Sequence, residues 1–323
     1  MSPSSPDELV DRRKLRRRVS FWRLVSLILA LSALLIIGAR LAPNKASSGK
    51  TQHIARIAIK GLIVGDESTI KLIHDAAEAP QVAGIILDID SPGGTTTGSE
   101  KIYDAIRVAA VKKPVVAEVG TLAASGAYIA ALGSDHIVAY GNSLVGSIGV
   151  LFQYPNFYKL LNNVGVSVEE VKSSPLKAAP NGMEPTSDAA RAALASVVAD
   201  SYAWFKQLVQ TRRHMSDAEL GAVDDGRVFT ARQGLPLKLV DAIGGEPEAL
   251  AWLVSKGVNK SLPVLQHSPP ASWSVLSWLG IGATAHDLDQ VSVISGLLGA
   301  GKHLLGASSL DGLVAIWHFK SSI

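Results

Sequence analysis

The 323-residue chain contains no cysteine. Disulfides, thiolate catalysis and Cys-ligated zinc or iron–sulfur sites are therefore excluded, and redox chemistry gives no information about compartment. Its eight histidines include no H-E-x-x-H and no close pair. A metal centre is not expected, nor is any cofactor. Charge is absent from Leu24 to Ala39, "LVSLILALSALLIIGA". No internal repeat is found. "GLLGAGKH", Gly296 to His303, has most of a phosphate-binding loop, but His303 stands where Ser or Thr would hold magnesium. The carboxylates of "GVSVEE" and "HDLDQ" are not arranged as an acid/base pair and read as solvated faces.

What is present is uneven. Net charge is only +3, yet "DRRKLRRR", Asp11 to Arg18, carries six basic residues just before the uncharged run. At 1.5 Å per residue that run spans about 24 Å, short of a hydrocarbon core of roughly 30 Å. Phe21, Trp22, Leu41 and Ala42 extend it, while Arg23 and Arg40 can snorkel. The basic flank puts the N-terminus in the cytoplasm and the body outside. A cleaved signal peptide is the competing reading; the apolar run is too long for one, and no clean Ala-x-Ala site follows. The basic segment is explained by the span, so no nucleic-acid partner is expected. The chain therefore reads as a basic cytoplasmic segment 1–20, a transmembrane anchor 21–42 in contact with lipid, and a polar linker 43–53. A folded domain 54–257 follows, then an apolar, Gly-rich tail 258–323. The tail could pack on the core, form a subunit interface or lie on the membrane.

From Ile54 the pattern is α/β. "IARIAIKG" alternates as a strand does, and Asp66 to Ala79 reads as a helix with an acidic start. "VAGIILDID", Val82 to Asp90, reads as a strand buried on both faces and broken by "SPGG". Thr97 to Val111 reads as a helix, "PVVAEVG" as another buried strand, and Ser187 to Arg213 as a long helix. Alternating strands and helices imply a layered α/β fold.

Three stretches carry chemistry. "DIDSPGG", Asp88 to Gly94, ends a strand in glycines that let backbone N–H groups approach a ligand oxygen. "AASGAY" puts Ser125 at a helix start, where unpaired N–H groups suit a developing oxyanion. The N–H groups of Gly94 and Gly126 form the expected oxyanion hole. "VKSSPLKAAP", Val171 to Pro180, places Lys172 and Lys177 in a loop. Taken singly, each is also an ordinary turn, a tight helix start or a solvated loop. His136 reads as a packing or surface residue.

Their order resembles the signal peptide peptidase (SppA) family, membrane-anchored serine proteases of ClpP/crotonase-like fold. The matching motifs are Ser91 to Gly94, Ala124-Ser125-Gly126-Ala127-Tyr128, Asp135 to Ala139 and Gly146 to Val150. They continue in Lys172 to Lys177, Gly226 to Thr230 and Leu239 to Gly245. The resemblance runs from Ile54 to about Leu250 and includes the anchor. Departures are Ala127 for glycine, Ile129 for an aromatic, and Ala178 where many members have Asp.

The resemblance implies a layered fold of repeated β-β-α units and a serine endopeptidase acting through a Ser–Lys dyad. Ser125 is the implied nucleophile and Lys177 the general base, with Lys172 as rival base. The implied peptide-binding residues are Gly93, Gly146, Ser147, Ile148 and Gly149, with "SLVGSIGVLF" pairing as a strand with extended apolar peptides such as cleaved signal peptides. A lysine base must be neutral, and "SPLKAAP" contains no acid to hold it charged. Ser125 and Lys177 lie 52 positions apart, a spacing that fits pairing within or between subunits. A homo-oligomer in the inner (plasma) membrane is expected, single-pass, with its catalytic domain on the periplasmic, extracytoplasmic side. The alternatives are a membrane quality-control protease with other substrates and a catalytically silent scaffold. An acyl-CoA enzyme of the same fold needs neither Ser–Lys pair nor anchor.

Overall fold

The computed structural model describes residues 51–268, Trp22, Arg23, Ser26 and Leu27, and the backbone of Leu313–Ile316. Residues 1–51 form one unit and 52–323 another. In the first, Trp22, Arg23, Ser26 and Leu27 are helical, and Ser26 Oγ donates to the Trp22 carbonyl (2.8 Å). The rest of the expected anchor, 21–42, lies outside the described residues. Among those described, no helix is long and apolar enough to cross a membrane.

The second unit is a mixed α/β sheet with helices on both faces. Its regular part is β1 (His53–Ile63), α1 (Glu67–Glu78), β2 (Val82–Thr95), α2 (Thr96–Lys112), β3 (Val115–Ala124), α3 (Gly126–Leu132) and β4 (His136–Ala139). β1 to β4 are mutually parallel neighbours in that order. Side-chain caps start the helices: Asp66 accepts from the Thr69 N–H (2.9 Å), and Thr95 from the Gly98 N–H (3.0 Å).

The period of two sorts residues between faces. Ala55, Ile57, Ile85, Leu87, Ile89, Val115, Ala117 and Val119 enter the main core with Ile73, Ile102, Ile106 and Phe205. Ile54, Ile86, Val116 and Val138 face a smaller core with Ala249 and Leu253. The second face then turns polar. Arg56 reaches Glu118 (2.8 Å) and Asp88 (3.6 Å) and also pairs with Glu246, while Lys60 joins Asp88 (3.1 Å). "VAGIILDID" is thus wholly apolar on one face only, because its second aspartate-bearing face serves an ion network. Burial, opposed chiefly by Arg56, holds the Glu118 carboxyl above the usual carboxylate range.

β2 and β3 change partners along their length. β3 pairs β4 through Val116–Val119 and then β5 (Leu144–Gly146) through Leu122–Ala124. β2 does not stop at the Ser-Pro-Gly-Gly stretch as the sequence suggested. It continues to Thr95, with Leu62 and Ile63 of β1 opposite Gly93 and Gly94. Ser91 holds this stretch: its hydroxyl donates to the Gly61 carbonyl (2.6 Å) and accepts from the Gly93 N–H (3.1 Å). A Cβ on Gly94 would lie 1.7 Å from the Ile63 carbonyl oxygen. Gly94→Ala is therefore expected to cost about 3 kcal/mol or more, since backbone rather than a side chain must move; a chemical denaturation midpoint reads this.

After β4 come β6 (Leu151–Phe152), α4 (Tyr158–Asn163), α5 (Asp188–Arg213) and α6 (Asp217–Gly221). β7 (Val228–Thr230), α7 (Ala231–Gly234), β8 (Ala242–Ile243) and α8 (Glu246–Ser255) follow. β7 runs antiparallel to β5, and β8 parallel to β4. β9 (Val264–His267), which the sequence reading left with the tail, pairs with β1. β10 (Leu313–Ile316) also joins the sheet. The wholly buried Tyr128 of α3 donates to the Leu239 carbonyl (2.8 Å), fastening the closing segment to the core. Tyr128→Phe leaves that carbonyl without its donor, an expected loss of about 1 kcal/mol in a urea melt.

Candidate active site

Ser125 lies where β3 becomes α3. Its backbone has φ 56° and ψ −117°, a strained conformation for a residue with a Cβ. Two hydrogen bonds fix it. The Ser125 N–H donates to the Gly146 carbonyl (2.8 Å), and the Ser125 carbonyl accepts from Ile129 (3.0 Å). The hydroxyl does not cap α3. It donates instead, at 3.5 Å, toward the Gly149 carbonyl. A sharp strand-to-helix turn of this kind aims a hydroxyl away from its own helix. Ser125 is only 1% exposed, so an attacking role needs substrate to enter along the strand ends beside it.

Gly126 is the first residue of α3, and its N–H has no carbonyl one turn back to bond. Gly94 lies in β2 with β1 along one edge. Ser91 pairs with Ala123, the last contact between β2 and β3 in the ladder. Gly93 and Gly94 therefore follow just where those strands part, two residues short of Ser125 on the β3 side. The Gly93 N–H is engaged by Ser91, so Gly93 contributes shape rather than this donor.

The segment Gly146 to Gly149 forms the third side. Gly146 (φ 94°) and Ser147 (φ 52°) turn the chain as β5 ends, and the Ser147 N–H donates to the Arg227 carbonyl (2.8 Å). Ser147, Ile148, Gly149, Val150 and Leu151 line a cleft of about 340 Å³ opposite Val198, Tyr202 and Asp224 to Gly226. The structure thus gathers Ser125, Gly146 and Gly149 directly, with Gly126 and the Gly93–Gly94 strand end adjoining in the sheet.

The two lysines behave differently. Lys172 Nζ sits between Glu170 (2.7 Å) and Glu184 (2.5 Å). Hydrogen bonds to Glu170 and then Glu184 hold its pKa above the ordinary lysine value, the wrong direction for a base. Lys177 is exposed in the loop, its N–H bonded to the Ser174 carbonyl (3.1 Å). Among the described residues its ammonium has no hydrogen bond or ion pair, and it is not brought to Ser125 within this chain. His136 stacks on Trp252 (5.1 Å, 8°) and lies 3.7 Å from Asp241. Burial, partly offset by Asp241, lowers its pKa. It is a packing residue, as expected. Among the described residues no acidic or histidine cluster could hold a metal.

Sequence reasoning quoted Ser91 only as part of the Ser-Pro-Gly-Gly motif and gave it no role of its own; its hydroxyl shapes the glycine strand end. The signal was available in the serine preceding Pro92: a buried Ser hydroxyl commonly bonds backbone two residues on.

The family model described as peptidase family S49 matches residues 107–259, and one described as Clp protease matches 66–143. A candidate protease of Synechocystis is 35% identical over 65% of this chain and 76% of its own length. A candidate signal peptide peptidase SppA of Enterococcus faecium is 31% identical over 63% of this chain and 59% of its own length. The chloroplastic serine protease SPPA of Arabidopsis thaliana is 28% identical over 75% of this chain, which spans 36% of that longer relative.

Proposed function

The chain belongs to peptidase family S49, the SppA serine proteases, and from that membership we propose that it is a membrane-anchored endopeptidase. Ser125 is its nucleophile, Lys177 its general base, and extended apolar peptides such as cleaved signal peptides its substrates. The observation that carries this reading is the conformation of Ser125, strained at φ 56° with a hydroxyl withheld from helix capping. Such strain, on the order of 1–3 kcal/mol, persists where the surroundings enforce it and function uses it.

In the proposed reaction Ser125 Oγ adds to the scissile carbonyl carbon while its proton passes to neutral Lys177 Nζ. The N–H groups of Gly126 and Gly94 face the oxyanion. The C–N bond then breaks as Lys177 returns the proton to the leaving amine. Water, deprotonated by the same lysine, hydrolyses the acyl-enzyme and regenerates the serine.

The position of Lys177 favours a site completed between subunits. Between β6 and α5 the only described regular element is the short α4. That stretch exposes Phe157, Leu160, Val164, Val166, Val168, Val171 and Leu176. An apolar surface of this extent is the mark of an interface, and a neighbour docked there would receive Lys177 from this chain. We assign residues 21–42 to the inner (plasma) membrane, with the N-terminus cytoplasmic and the catalytic unit extracytoplasmic, on the basic flank before the apolar run. The test is covalent labelling by a serine-directed acylating probe: a single adduct mapped to Ser125 supports the reading, and an adduct elsewhere or none defeats it.

A further inference from the structure

The strand β10, Leu313–Ile316, lies in the groove beside the candidate nucleophile. It runs antiparallel to β2, with Val314 opposite Thr95, Ala315 opposite Gly94 and Ile316 opposite Gly93. On its other side it runs antiparallel to β6, with Leu313 opposite Phe152 and Val314 opposite Leu151. Along that edge of β2, β3 holds the positions up to Ser91, and β10 takes over from Gly93 to Thr95. The exchange happens where β3 departs toward Ser125. Among the described residues β6 pairs with no strand except β10. The slot is therefore one strand wide, and it begins two residues beyond Gly149, whose carbonyl faces Ser125 Oγ.

A slot open on both edges offers main-chain donors and acceptors to any extended segment and asks little of its side chains. Left empty, it would present two unpaired strand edges. The segment occupying it, "LVAI", is apolar and β-branched at two of four positions, a composition suited to an extended strand. We propose that residues 313–316 are a tethered occupant of the peptide-binding slot, so that substrate enters only when this strand leaves. This rests on the reading of Ser125 as the site of peptide cleavage. The tail then limits the apparent affinity for substrate without altering the chemical step.

The test uses the full-length chain with Val314→Pro and Ala315→Pro together. Proline removes both N–H donors and is excluded from a strand paired on two sides. If the tail fills the slot about nine-tenths of the time, releasing it lowers KM for an apolar fluorogenic peptide about tenfold and leaves kcat within about twofold. A synthetic peptide of residues 311–318 should then compete with substrate. Unchanged KM together with no competition overturns the proposal. Should the proline pair lack a cooperative melt, the free peptide is titrated into the unaltered chain, and absence of inhibition there overturns it. In a Ser125→Ala background, fluorescence anisotropy reads binding of the labelled peptide without cleavage. Binding about tenfold tighter with the proline pair than without supports a tethered occupant, and equal or absent binding refutes it. If no form cleaves peptide, the protease reading fails, and the anisotropy result still decides the slot.

Discussion

Ser125→Ala lowers kcat for peptide cleavage by at least about 10⁴-fold, because the acyl-enzyme has no atom on which to form. Residual hydrolysis reflects oxyanion stabilisation and substrate positioning alone. The same residue makes a second, opposite effect measurable. Its backbone conformation, φ 56° and ψ −117°, costs a residue with a Cβ but little for glycine. Ser125→Gly should therefore be as inactive as Ser125→Ala and yet more stable by about 1 kcal/mol, read from thermal or urea melts. A Ser125→Gly protein less stable than Ser125→Ala would mean that the turn is relaxed. The nucleophile reading would then lose its structural support.

Lys177→Ala should lower the rate by about 10²–10⁴-fold, the usual reach of a general base. Lys172→Ala should stay within a few-fold of the unaltered protein, since Glu170 and Glu184 keep that ammonium charged. The informative measurement is a mixture. Ser125→Ala and Lys177→Ala chains, each inactive, are combined in equal amounts under conditions that let subunits exchange. If each site takes its serine from one chain and its lysine from the next, random assembly makes about a quarter of sites complete. Activity then reappears. A dyad formed within one chain gives no recovery in the mixture, and that outcome would remove the role assigned to the exposed loop.

Much of the sheet was legible because burial is written into residue type. β1 to β4 are runs of Val, Ile, Leu and Ala, and the helices between them start at capping residues such as Asp66 and Thr95. The continuation of β2 was not legible. Pro92 and two glycines look like a strand end, since proline lacks a ladder donor. The strand continues because the Ser91 hydroxyl bridges Gly61 and Gly93 and the missing Cβ of Gly94 lets β1 approach. β9 and β10 were missed for another reason. Each is four residues long, and their partners lie some 200 residues away in β1 and β2. Ser125 was singled out from its small neighbours, although its strain belongs to three dimensions: the Gly146 carbonyl fixes it from another strand. Lys177 was named only through a motif. Among the described residues no hydrogen bond or ion pair directs its ammonium, so neither local pattern nor the described packing could have marked it.

The open placement of that lysine bears on when a newly made molecule could first cut anything. With Ser125 buried at the end of β3 and Lys177 out in an exposed loop, the proposed pairing between subunits would leave a solitary copy with half of a cutting device. It would meet the other half only in the company of its own kind. Synthesis and export would then pass in safety, and local crowding on the destination surface, rather than a cleaved propeptide, would arm the blade.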